Sequence, residues 1–392
     1  MTIKDLLRVM VEKEASDVYL TVASAPMYRI DGIVQPIGDF KFTPAELQEL
    51  AQGIMSDKQW EDFTTLHEMD LVLVLSIPDL SRFRVNVLRQ RGSIALVIRR
   101  IKFEIRTLDD LAFPPVIKDL ALKKNGLVLV VGATGVGKTT TLAAMIDHRN
   151  STAPGHIISV EDPIEFVHRH KKCIITQREL GFDTHSFSEA LKHAVRQAPD
   201  VILIGEIRDR DSMEAAIAFA DTGHLCLGTL HSTNVNQSFE RILNFFPVDR
   251  HNQILMHLAL NLRGIVSQRL IPAVDGKRVA AIEIMTDTPR IKDLIKRGDV
   301  DSVSGAMAES NEEGCQTFDQ ALLGLYKNHK ITLQQALMNA DSANNLRLKI
   351  KLEGLEGDDN LDLLLDSEGN PSEKKALQIK GLQKKEGLLR QL

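Results

Sequence analysis

The densest chemistry in the chain lies in the run Gly132-Ala133-Thr134-Gly135-Val136-Gly137-Lys138-Thr139-Thr140. Glycines at this spacing let backbone N–H groups turn inward around phosphate oxygens without Cβ clashes, and a helix starting behind them adds positive potential. Gly132, Thr134, Gly135, Val136 and Gly137 are candidates for that cradle, with Lys138 placed to reach β- and γ-phosphates. Thr139, followed by Thr140, offers a hydroxyl to Mg²⁺. The ligand this pattern takes is a nucleoside triphosphate with its metal, read here as Mg-ATP. A glycine-rich turn matching by chance would lack the strand before and the helix after, and the flanking residues predict both.

Acids and histidines follow. Val201-Ile202-Leu203-Ile204 ends in Gly205-Glu206, and an acid at such a strand end holds Mg²⁺ or the attacking water in P-loop enzymes. The apolar residues 157–160 lead into Glu161-Asp162-Pro163-Ile164-Glu165. One of these acids could polarise the water that attacks a γ-phosphate, or the segment is a solvated turn around Pro163; spacing leaves both open. Gly223-His224 and Thr229-Leu230-His231 bracket another apolar run. A histidine there can sense the γ-phosphate or orient an acid, or be a satisfied structural residue. His168, His170 and Cys173 lie close together, but Lys171-Lys172 between them and the missing fourth ligand read as a charged loop. Arg82 and Arg84, with Arg89 and Arg91 beyond, are spaced along a predicted strand and its turn. They neutralise phosphate charge if that part of the chain closes over the nucleotide, and form a solvated face otherwise.

These residues need a scaffold. Residues 127–131, 157–160, 201–204 and 225–230 are short apolar runs without polar alternation, the pattern of strands covered on both faces. Helical periods lie between them, one behind a Ser186–Glu189 capping box. The fold class predicted for 119–287 is α/β, doubly wound around a parallel-rich sheet. Residues 1–102 read as a small α+β domain. Its opening helix carries Ile3, Leu6, Leu7 and Met10 on one face, and strands are predicted at 17–22 and 27–37, the latter turning at Asp31-Gly32. A helix starts at the Thr43-Pro44-Ala45-Glu46 capping box, and strands follow at 71–75, 83–88 and 94–101. The stretch 103–118, with Pro114-Pro115 inside it, reads as a linker. Residues 288–353 turn helical, with capping boxes at Thr317–Gln320 and Thr332–Gln335, and 354–392 reads as a mobile charged tail.

At 43% hydrophobic and 26% charged, 392 residues can form more than one core. A formal charge of −5 and 5% aromatics count against a nucleic-acid tracker, which needs a basic stripe or stacking platforms. Three scattered cysteines, Cys173, Cys226 and Cys315, give neither a disulfide framework nor a zinc spacing. The N-terminus carries Asp5, Glu12 and Glu14 and is not a signal peptide, and no stretch reaches the ~20 apolar residues of a transmembrane helix. A cytoplasmic location is expected, with docking on a membrane protein left open.

Taken together and in order, GATGVGKT, ISVEDPIEF, VILIGEIRD and TGHLCLGTLHS resemble the secretion and type IV pilus ATPases, most closely the pilus retraction group, PilT and PilU. The resemblance covers residues 1 to about 350. It implies a homo-hexamer of two-lobed subunits, a PAS-like N-terminal domain joined to a RecA-like domain, and ATP with Mg²⁺ between the lobes. It further implies that Glu165 is the catalytic glutamate, Glu206 the glutamate of the second acidic motif, and His224 with His231 a functional pair. The partners implied are a PilT-like paralogous ATPase and an inner-membrane pilus platform protein, without nucleic acid. Assembly members carry a four-cysteine zinc module, whereas here Gln268-Arg269-Leu270 runs directly into Ile-Pro-Ala-Val-Asp-Gly, which points to retraction. One departure is Arg290-Ile-Lys-Asp-Leu-Ile-Lys-Arg297, which keeps apolar Ile291, Leu294 and Ile295 but changes the polar face usual in PilT-like chains. With the long tail, that favours the PilU-like accessory members. The rivals are a RecA-like DNA motor, expected to bind DNA in a salt-sensitive way, and an ATP-binding subunit dependent on a partner ATPase.

Overall fold

The computed structural model describes residues 2–30, 32–77, 79–101 and 104–355. The expected tail from 356 onward, Asp31 of the expected turn and residues 102 and 103, at the expected boundary between the first domain and the linker, lie outside the described residues. The described residues fall into two units, one within Met1–Ile105 plus Ile164–His168, the other within Arg106–Pro163 plus Arg169–Leu392.

The first unit holds a sheet of β1 (Asp17–Leu20), β2 (Met27–Ile30), β3 (Ile33–Pro36), β4 (Glu68–Ile77), β5 (Asp79–Gln90) and β6 (Ser93–Ile101). Its order is β3-β2-β1-β6-β5-β4, each neighbour antiparallel. Helices Ile3–Glu12, Pro44–Gln52 and Asp57–Leu66 bury Leu6, Leu7, Met10, Leu47 and Phe63 in one core with Phe83, Val85 and Val87 of β5. The amphipathic opening helix and the Thr43–Glu46 box are as expected. Helix Asp57–Leu66 was not expected. Its Ser56–Gln59 box was a usable signal, but Phe63 is its buried residue, too little for a helical period to show.

The second unit holds β7 (Gly126–Val131), β8 (Gly155–Glu161), β9 (Cys173–Glu179), β10 (Val201–Ile204), β11 (Leu225–Leu230), β12 (Leu262–Pro272) and β13 (Arg278–Thr286). The order is β13-β12-β7-β11-β10-β8-β9; every pair is parallel except β12 with β13. This is an α/β fold around a parallel-rich mixed sheet. The unbroken apolar runs are explained by β7, where Leu127, Leu129 and Val131 face one core and Val128 and Val130 the other. On the first side lie helices Phe187–Ala194, Arg210–Asp221, Val235–Leu243 and His251–Asn261, and on the second Lys138–Thr152 and Val116–Ala121.

Residues 106–118 are not an open connector. Leu108 and Ile117 are buried in the second core, and Pro115 stands just ahead of helix Val116–Ala121, where a proline is compatible with helix entry. Between Thr288 and Leu355 the described residues are mainly helical, and Phe318, Leu322 and Leu346 form a separate core with Ile271 and Ala281 of the β12–β13 hairpin. In helix Pro289–Arg297, Ile291 and Ile295 are buried and Leu294 half-buried, so the apolar face kept in that segment packs inward. Among the described residues no helix is long and apolar enough to cross a membrane.

Candidate functional site

The phosphate-cradling run leaves the carboxyl end of β7 and enters helix Lys138–Thr152. Gly132 has φ +150°, and a Cβ there would lie 2.6 Å from Val136 Cγ2 and 2.8 Å from the carbonyl oxygen of Gln268. Only glycine lets β12 pass this close. Gly137, at φ +93°, caps the helix, so its first N–H groups face the loop. A cleft of about 870 Å³ opens beside them, with Gly135, Val136, Gly137 and Thr140 on its wall. Arg106, Lys277, Arg278 and Lys330 also line it, against the acids Asp110 and Asp275, a balance that favours a polyanion.

Lys138 Nζ donates to the carbonyl oxygens of Gly132 at 2.8 Å and Ala133 at 3.0 Å, and lies 3.4 Å from His231 Nδ1. His231 Nε2 is 2.9 Å from Glu206 Oε1, and Arg208 Nη2 is 2.6 Å from Glu206 Oε2. Arg208 Nη1 reaches Asp162 Oδ2 at 3.4 Å. One histidine tautomer satisfies the middle of this chain: Nε2–H donates to Glu206 while Nδ1 accepts from Lys138. Two bonds hold the strand ends that carry it. Thr229 Oγ1 donates to Gly205 O at 2.6 Å, and the Ile207 N–H donates to Thr229 O at 2.9 Å.

Burial pushes the Glu206 carboxyl up, but the hydrogen bond and charge of Arg208, with His231 and Lys138, outweigh it and hold it below the usual carboxylate range. Glu206 is therefore an ionised acceptor at neutral pH, suited to orienting water or binding a cation rather than donating a proton. For Mg²⁺ the donor set fits. Among the described residues no cluster of three or more His, Cys, Asp or Glu could cage a metal. Mg²⁺ instead takes one or two protein oxygens, with phosphates and water completing its shell, and Thr139 and Glu206 can supply those oxygens.

Within the second unit Lys138, Glu206 and His231 come together, and His224 does not join them. It precedes β11, whereas His231 follows it, so seven residue steps at ~3.3 Å each set them more than about 20 Å apart. His224 Nδ1 is 3.0 Å from Thr222 Oγ1 and 3.3 Å from Phe219 O. Glu165 is exposed and belongs to the segment that groups with the first unit. There it adds to the raised pKa of Arg99, whose main cause is the hydrogen bond to Asp17. Arg82 and Arg84 alternate on β5 with buried Phe83, Val85 and Val87, also in the first unit. Of the acidic run, Glu161 is buried at the carboxyl end of β8, accepting from Ser159 Oγ at 2.6 Å and Gln177 Nε2 at 3.2 Å.

The family model described as "Type II/IV secretion system protein" matches residues 1–351. The chain belongs to this family. It is 51% identical to the "Type IV pilus ATPase PilU" of Pseudomonas aeruginosa strain PAO1, over 91% of this chain and 93% of that one. Identity to the "Type IV pilus retractation ATPase PilT" of the same organism is 40%, over 88% of this chain and 100% of that one. A solved structure titled "Crystal Structure of the Pilus Retraction Motor PilT and Bound ADP" superposes with a TM-score of 0.82 at 39% identity, covering 89% of this chain and 99% of that one.

Some residues of this family member's site escaped sequence reasoning. Arg208 stands two positions after Glu206 and was the easiest to find, as a cation beside an acid. Gln268, Lys277 and Arg278 lie on the β12–β13 hairpin or the turn within it, and polar residues interrupt those strands, so nothing local marked them.

Proposed function

We propose that this chain is an ATP-hydrolysing motor of the type IV pilus machinery that powers or assists pilus retraction. The observation that carries it is the linked Lys138–His231–Glu206–Arg208 array at the carboxyl ends of parallel strands, beside a phosphate-cradling loop, in a chain 51% identical to a type IV pilus ATPase. In this reading the water oxygen bonds to Pγ as the bond from Pγ to the bridging oxygen breaks. The bond's electrons leave on ADP, and the water's proton passes to a carboxylate. Glu165 is the proposed acceptor of that proton. Lys138 neutralises the phosphates, the loop's N–H groups hold them, and Glu206, kept ionised, orients the water side of the site. Thr139 and Glu206 would hold Mg²⁺, which would supply neutralisation of phosphate charge when bound. Arg82 and Arg84 are proposed to add positive charge from the first unit.

The working form we propose is a cytoplasmic homo-hexamer acting beside a PilT-like paralogous ATPase on an inner-membrane pilus platform protein. Identity higher to PilU than to PilT supports the accessory role. Purified protein should release phosphate from Mg-ATP, and Lys138→Ala should abolish both binding and release. Steady hydrolysis by Lys138→Ala protein overturns the site assignment. Unchanged retraction in a deletion strain, alone and in a background lacking the PilT-like paralogue, overturns the motor reading.

A further inference from the structure

On β13, residues 281, 283 and 285 share one face. Ala281 packs into the core of the C-terminal helices and Met285 into the core under the sheet's helices. Glu283 stands between them, 3% exposed, at the seam of two apolar cores where an acid needs a specific partner. Its Oε2 accepts the N–H of Val235 at 2.9 Å. Val235 opens helix Val235–Leu243, so the carboxylate caps a helix N-terminus from a distant strand. Ser267, the register partner of Glu283 on β12, is fully buried and donates to Thr233 O at 3.3 Å. Two side chains on adjacent strands thus hold the 232–235 turn, which begins directly after His231. The charged groups bearing on Glu283 are Arg269 of β12 and, from the C-terminal helical region, Asp319 and Asp341. Arg269 itself donates to Asp341 at 2.7 Å.

We infer that Glu283 and Ser267 are positioning residues for His231, fixing the 232–235 turn and thereby the place where the imidazole meets Lys138 and Glu206. The inference rests on the ATPase reading above. The contact at stake is short-ranged. His231 sits 2.9 Å from Glu206, and a turn displaced by about 1 Å takes that pair out of hydrogen-bond range. Glu283 and Ser267 bond to the backbone of the turn, at Val235 and Thr233, so in this inference their loss should act on turnover and leave substrate binding alone.

The test uses the full-length chain, with kcat and KM for Mg-ATP measured for E283A, E283Q, S267A and H231A, and for E283A and S267A each combined with H231A. E283A should lower kcat about tenfold with KM within about twofold, the split expected of lost transition-state positioning. E283Q keeps an oxygen for the Val235 N–H and should recover to within about threefold of wild type. S267A should cost about two- to threefold, and neither E283A nor S267A should cost more than about twofold once His231 is already alanine. If E283A fails to give a cooperative thermal transition, the S267A and E283Q comparisons carry the same test. The inference is overturned by E283Q turning over as slowly as a folded E283A, or by either change costing the same factor with and without His231. Wild-type protein that turns over no ATP overturns this inference together with the reading under it; an active wild type with indifferent E283A and S267A overturns the inference alone.

Discussion

The two ends of β11 carry the same residue type and do different things. At the carboxyl end His231 lies within reach of Lys138 and Glu206. At the amino end His224 is held by Thr222 and the Phe219 carbonyl, with its ring edge-on to Phe219 at 6.2 Å. A parallel sheet gathers the ends of all its strands on one side, so chemistry collects at the carboxyl ends of β7, β8, β10 and β11. Seven positions along a strand are enough to leave that side. Two histidines read as a pair from their motif are thus separated by the strand between them.

The contrast breaks most completely at Lys138. Lys138→Ala should weaken Mg-ATP binding more than about 100-fold, because it removes the loop's cation, which now rests on the Gly132 and Ala133 carbonyls and is proposed to turn to the phosphates. Calorimetry checks it, and saturable micromolar binding would remove the loop from the site. Glu206→Gln comes next. It keeps a hydrogen-bonding head group but loses the charge that Arg208 and His231 stabilise, so binding should survive while kcat falls about 10²- to 10³-fold. A Glu206→Gln enzyme within threefold of wild type would mean that the carboxylate merely pairs with Arg208.

The carboxyl end was the legible side. Gly132 to Lys138 announce a loop, and the apolar runs of β7, β10 and β11 announce strands, because covering both faces leaves no room for polar alternation. β9, β12 and β13 stayed hidden for the converse reason. Gln177 and Glu179 in β9, Ser267 and Gln268 in β12, and Glu283 in β13 are polar residues buried or half-buried within the sheet, and each breaks the run that would reveal its strand. The acidic run shows the same limit. Spacing placed Glu161, Asp162 and Glu165 together, but the fold buries Glu161, pairs Asp162 with Arg208 and exposes Glu165. Direction along a strand can be read locally; which neighbour meets its end cannot.

Below the His231 end lies an expectation about pH. Burial, with smaller contributions from Asp341 and Asp319, pushes Glu283 up to about 7, against the Val235 N–H and Arg269, which favour its charge. A carboxyl whose pKa is higher folded than unfolded is without penalty below its ordinary range. As pH rises from about 4.5 to about 7 the unfolded chain loses the proton first, and the folded state loses relative stability by at most about 3 kcal/mol. Glu283→Gln does not titrate, so its stability relative to wild type should rise between pH 5 and pH 8 and level off above. Urea midpoints at the two pH values check this, and a gap that does not move would show that the acid is not desolvated as its surroundings imply.

The smallest effect is the one that decides the comparison itself. His231→Ala removes the group that links Glu206 to Lys138 and should lower kcat about tenfold with little change in KM. His224→Ala removes a ring that touches neither, more than about 20 Å away along the strand. In the separate chain it should therefore leave nucleotide affinity within about twofold and cost at most about 1 kcal/mol of stability through the Thr222 and Phe219 contacts. If His224→Ala instead abolishes turnover while affinity and unfolding midpoint stay put, its role must be played between subunits, since its place ahead of β11 keeps it from Lys138 and Glu206 of its own chain. Turnover measured as a function of protein concentration separates the cases: a defect that grows on assembly belongs to an interface, and one that persists at every dilution returns His224 to the site from which its position on β11 now removes it.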